Sequence, residues 1–108
     1  MTPVWLVIEG NPVRQYYSDA AALPHMDSQA SKHAILQRVG PLRSDVDGED
    51  PNITIELSNA TGEASALLAR RPPVGARARL MTPAGQVFSG IVAEIRLGRE
   101  SASISVES

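Results

Sequence analysis

Asn52-Ile53-Thr54-Ile55-Glu56-Leu57-Ser58 carries the alternation on which the reading of the fold turns. Ile53, Ile55 and Leu57 fall on one side of an extended chain and Thr54, Glu56 and Ser58 on the other. A period of two with β-branched residues is the mark of a half-buried strand. The pattern returns downstream: Ala78 and Leu80 alternate with Arg77 and Arg79, and Thr82-Pro83-Ala84-Gly85 supplies a turn. A strand over Gln86 to Leu97 follows, with Ile91, Ala93, Ile95 and Leu97 expected on one face and Val92, Glu94 and Arg96 on the other. Gly90 marks a bulge or tight bend in it. Gly98-Arg99-Glu100 then leads into Ala102, Ile104 and Val106, which alternate with serines. The C-terminal third therefore reads as a three-stranded antiparallel meander.

Between the Ile53 strand and this meander, Ala64, Leu67 and Leu68 have helical spacing, Thr61 is placed to cap, and Pro72-Pro73 blocks continuation. One short helix is expected at about residues 62–71. It is too short to stand alone and must lean Leu67 and Leu68 on the sheet.

Upstream, Val4, Leu6 and Ile8 oppose Trp5, Val7 and Glu9, and Gly10-Asn11-Pro12 can turn the chain into Val13 to Tyr17. This predicts an N-terminal β-hairpin over about residues 3–17. Ser18 to Lys32 reads as a variable loop or a weak helix through Ala20 to Leu23, Ala34 to Val39 as a further strand, and Arg43 to Asp50 as a polar loop. The class expected is mainly β: one domain over residues 1–108, a small antiparallel β-barrel or split barrel, with the barrel-like core at about residues 33–107.

Length and composition agree with that picture. The 108 residues suit one core, and 43% hydrophobic against 20% charged residues is globular composition. A net charge of −2 offers no long-range attraction to a polyanion, so nucleic acid is disfavoured as the main partner. There is no cysteine, hence no thiolate metal site. The apolar run Val4 to Ile8 is far too short for a membrane span or a signal-peptide core, so synthesis in the cytoplasm is expected.

Candidate chemistry is sparse. Asp45, Asp47, Glu49 and Asp50 beside Gly48 are a loop rich in carboxylate oxygens of the kind calcium uses, but the closing glutamate and flanking helices are missing, and a solvated loop is the simpler reading. His25 and His33 do not have the spacing of a zinc pair on one helical face. No G-x-S-x-G elbow occurs, and Ser101, Ser103 and Ser105 look like the solvent face of an edge strand. No catalytic residue, metal or cofactor is therefore assigned. Arg70, Arg71, Arg77 and Arg79 form the strongest rival feature, a basic strip that could follow a nucleic-acid backbone, though without interleaved aromatics.

The stretch from Pro51 to Gly62, then Leu67-Leu68, Pro72-Pro73-Val74-Gly75 and Arg77, resembles the tail-tip and baseplate hub proteins of tailed bacteriophages, as do Val87-Phe88-Ser89-Gly90-Ile91-Val92 and the closing strand Ala102 to Glu107. Weaker likeness extends to Arg14 to Asp19 and His33 to Leu42. The resemblance implies a virion structural protein, a β-barrel building block that packs against other tail or baseplate proteins as a homo-oligomer or ring and is assembled in the host cytoplasm. Hub proteins of this group are usually longer, so their trimeric architecture is not carried over. Trp5, Tyr16 and Tyr17, together with the arginines Arg70, Arg71, Arg77 and Arg79, are then the expected interface residues, with Trp5 foremost because it points away from Val4, Leu6 and Ile8.

Overall fold

The alternation around Ile53 forms β5 (Asn52–Ser58), in which Ile53, Ile55 and Leu57 are buried. In the computed structural model, which describes residues 3–10, 12–40 and 52–108, β5 belongs to one eight-stranded sheet. The other strands are β1 (Trp5–Ile8), β2 (Arg14–Tyr17), β3 (Ser31–His33), β4 (Leu36–Val39), β6 (Arg77–Thr82), β7 (Gly85–Leu97) and β8 (Ser101–Glu107). Their order across the sheet is β3-β2-β1-β6-β7-β8-β5-β4. The fold is mainly β, as expected, and the acidic segment Asp45 to Asp50 lies outside the described residues.

The sheet is rolled but not closed. Its outermost strands, β3 and β4, are joined in the chain by Ala34 and Ile35 alone, so the two ends of the sheet come near each other without pairing. All neighbouring strands are antiparallel except β2 and β3, which run parallel. That makes the sheet mixed rather than purely antiparallel. A parallel pair needs a long crossover, and most of the stretch from Ser18 to Lys32, expected as a loop or weak helix, provides it with a 3₁₀ helix (Ala20–His25) capped by Asp19, whose carboxylate accepts from the Ala21 N–H at 2.9 Å, while its last two residues, Ser31 and Lys32, belong to β3.

The roll encloses the main core. Leu6, Ile8, Tyr16, Ile55, Leu57, Leu80, Val92, Ile104 and Val106 meet inside it, each buried aliphatic side chain contributing about 1.5–3 kcal/mol. The crossover lays Ala22 and Met26 over the outer face of β1, where they bury Trp5 and Val7 in a second, smaller cluster. All four residues of β1 are thus buried. A strand covered on both faces carries a continuous apolar run, which is what Trp5-Leu6-Val7-Ile8 is.

The short helix α1 (Glu63–Arg70) leans on the core with Ala64 and Leu68, one turn apart, while Leu67 is only half buried. Thr61 is not its cap. Gly62 takes the cap position in the left-handed region (φ 77°) without a side-chain bond. The start of the helix is held instead by buried Asn59, whose Oδ1 accepts from the Ser65 N–H at 3.0 Å and whose Nδ2 donates to the Ser65 hydroxyl and the Gly98 carbonyl.

β7 departs from simple alternation. Its first half pairs with β6 and its second with β8, Ile91 being opposite both Arg77 and Glu107. Ala93 is an extra residue between Val92↔Val106 and Glu94↔Ser105, so the bulge falls there and not at Gly90. It reverses the expected facing: Val92 is buried and Ile91 is 44% exposed. A second slip leaves Val87 unpaired between Gln86 and Phe88. β8 lies between β7 and β5, so its serines occupy the outer face of an interior strand and not of an edge.

Gly90 has a different duty. A Cβ there would stand 2.1 Å from the Glu107 carbonyl oxygen, so only glycine lets the end of β8 approach. Gly90→Ala is expected to destabilise by about 2 kcal/mol or more in chemical denaturation. The control Gly10→Ala, whose Cβ would meet Pro12 at an ordinary 3.4 Å, should cost much less.

Candidate functional site

Register places four polar side chains on one face at the mouth of the roll. Arg14 lies opposite Ser31 and Tyr16 opposite His33, so all four project to the same side of the β2–β3 pair. Helix α1 faces them. Between the two runs a groove of about 390 Å³ lined by Gly10, Pro12, Arg14, Ser31, His33, Ala66, Leu67, Arg70 and Arg71. Among the described residues its lining holds three guanidiniums and no carboxylate, on a chain whose net charge is −2.

Hydrogen bonds fix the walls. Arg14 Nη1 donates to the Arg71 carbonyl at 2.9 Å and so ties β2 to the end of α1. The Ser31 hydroxyl and His33 Nε2 are 2.8 Å apart, and His33 Nδ1 lies 3.7 Å from Glu63 Oε1. This serine, histidine and carboxylate stand in the order of a nucleophile, base and orienting acid. The last contact is longer than a hydrogen bond, however, and the Ser31 backbone N–H is donated to the Val13 carbonyl rather than towards the groove. What the set does directly is hold the His33 ring between Ser31 and Glu63.

Tyr16 lies behind His33, the rings 5.5 Å apart and tilted by 31°. It is fully buried and its hydroxyl has no partner at hydrogen-bonding geometry. Burial raises its pKa above the ordinary 10.0, with nearby Arg14 offsetting a smaller part.

The expected interface residues separate. Trp5 is only 3% exposed, packed within its own chain beneath the crossover and stacked on His25 with ring centroids 6.2 Å apart, so it cannot anchor a partner. Tyr16 is likewise inaccessible, and Tyr17 is half buried against the Trp5 cluster. Arg70 and Arg71 are exposed at the groove. Arg77 and Arg79 lie elsewhere, two residues apart on β6, with Arg79 Nε 3.9 Å from Glu9 Oε1. The four arginines therefore do not make one strip. His25 and His33 sit at separate places, and no cluster of metal-ligating side chains occurs among the described residues. No helix among them is long and apolar enough to cross a membrane.

Arg14, Ser31 and Glu63 were not legible as site residues. Ser31 and His33 share a face only because Ser31–His33 is a strand, and three residues carry no period by which to recognise one. Comparison with protein-family models, curated proteins and solved structures finds no match for the chain.

Because the unfolded chain gives up the Tyr16 proton more readily than the folded one, the folded state binds more protons at alkaline pH. Stability is then lost as pH rises from about 10 through the raised folded value. Tyr16→Phe should reduce this alkaline loss. At neutral pH it should lie within about 1 kcal/mol of the parent, since the hydroxyl it removes has no well-formed hydrogen bond, only the nearby Arg14 guanidinium. Urea denaturation of both proteins across the alkaline range checks the two statements.

Proposed function

We propose that this chain is a virion structural protein, a building block of a phage tail tip or baseplate that works by packing against neighbouring subunits. The observation that carries this reading is the open roll: β3 pairs only with β2 and β4 only with β5, so each leaves an edge without a strand partner among the described residues. An unpaired edge presents backbone N–H and C=O groups on which another chain can align. Exposed aliphatics add to this: Val87 and Ile91 are 60% and 44% exposed, on the strand that spans both halves of the sheet. The segment that resembles tail-hub proteins, Pro51 to Glu107, supplies β5, α1 and the β6–β8 meander in unbroken succession, which supports the same reading.

The rival reading, a nucleic-acid barrel, draws less support. Its arginines are divided between the groove and β6, and Trp5 and Tyr16, which could have stacked on bases, are buried.

Val87→Lys with Ile91→Lys places two charges on exposed positions, so folding stability should change by no more than about 0.5 kcal/mol per site. Incorporation into particles, or co-purification with co-expressed tail proteins, should fall at least about tenfold. A parent chain that stays monomeric beside every co-expressed tail protein would overturn the proposal.

A further inference from the structure

The groove at the mouth of the roll has a chemistry that subunit packing alone does not require. Its lining is of two kinds, and both walls contribute to each: Arg14 on the strand side and Arg70 on α1 bring guanidiniums, while Pro12 on the strand side and Ala66 and Leu67 on α1 bring apolar surface. Arg70 is exposed at the last turn of α1, and Arg14 is positioned by its bond to the Arg71 carbonyl. A guanidinium has five N–H donors in a planar fork that matches a carboxylate, so one bond to a backbone carbonyl leaves Arg14 donors for a ligand. His33 and Ser31 add further hydrogen-bonding groups at the floor.

We propose that this groove seats a short acidic peptide segment of a neighbouring protein, its carboxylates on Arg14 and Arg70 and an aliphatic side chain on Pro12, Ala66 and Leu67. The proposal rests on the structural-subunit reading and names the partner chemistry of one site within it. Charge complementarity selects the anion, because the described lining residues include three arginines and no carboxylate, the nearest being Glu63 beside His33, although the chain as a whole is acidic. The apolar part of the lining favours a peptide over a nucleic-acid backbone: the carbons of a sugar-phosphate chain are flanked by charged phosphates and offer no branched aliphatic side chain, and the one aromatic ring among the described lining residues, His33, is already packed against Tyr16. The volume of about 390 Å³ falls in the ~300–1,000 Å³ range of pockets that hold small ligands, enough for a few residues in extended form and too little for a helix.

Fluorescence anisotropy of the full chain tests this with a labelled, C-terminally amidated peptide of alternating Glu and Leu. Saturable binding is expected, weakened by added salt. It should weaken at least about tenfold in Arg70→Glu and about tenfold when the probe's leucines become serines. A second probe with Gln for Glu and a free C-terminus separates side-chain carboxylates from a terminal one; binding by either supports the proposal. Arg70 is exposed, so the Arg70→Glu chain should keep its melting temperature, and Arg14→Ala provides an independent variant. Absence of binding by both probes, an affinity unchanged in Arg70→Glu, or tighter binding of oligo(dT) overturns the proposal. Incorporation of the parent chain into particles distinguishes the two levels. Incorporation without peptide binding removes the groove's assignment and leaves the structural reading standing, whereas failure to incorporate removes both.

Discussion

The structure depends on one strand that serves two partners. β7 leaves β6 and joins β8 near Ile91, and the sheet can roll only because the backbone at Gly90 allows the Glu107 carbonyl to approach where any side chain would stand in the way. The extra residue at Ala93 then sharpens the local twist and turns Val92 and Ile95 inward together with Ile104 and Val106. Without that transition the two halves of the sheet would lie side by side and the core would have only one wall. Rolling gives it walls all round, with α1 leaning on it through Ala64 and Leu68.

The same curvature creates the groove. It brings the β2–β3 edge round to face the helix, and register sets Arg14, Ser31, Tyr16 and His33 on the inner side of that edge. Moving outward from the core, burial gives way to polarity along this face: Tyr16 is enclosed, His33 is partly covered, and Arg14 reaches the groove. A roll that stops short of closure therefore has a polar mouth as well as two unpaired edges. Both features suit a part that completes its surface in contact with other chains, which is the function proposed.

Legibility followed the strength of local pattern. β5 and β8 alternate cleanly because one face meets the core and the other faces outward, and both strands could be read from their apolar positions. The hairpin of β1 and β2 was readable from its turn residues. β3 was not, because Ser31-Lys32-His33 has no apolar member and exists as a strand only by pairing with β2. The facing of β7 departs from simple alternation for a related reason: a bulge shifts the phase without altering composition, so Ile91 and Val92 exchange places relative to the simple pattern. Trp5 misled in another way, since pointing away from one core left unseen the second cluster that the crossover builds over it.

The mainly β class, the single helix after β5 with its end at Pro72-Pro73, the C-terminal meander, and the absence of any familiar catalytic motif all follow from the order of the amino acids. These are local matters, decided by period, turn chemistry and the missing proline N–H. Long-range packing is what makes the sheet mixed and rolled, puts Trp5 and Tyr16 inside, gives the helix start to Asn59 rather than Thr61, and gathers Arg14, Ser31, His33 and Arg70 into one groove. The physical reason is common to all of them: each results from contacts between residues distant in the chain, where strand register and the closure of the roll, not neighbouring side chains, choose the partner.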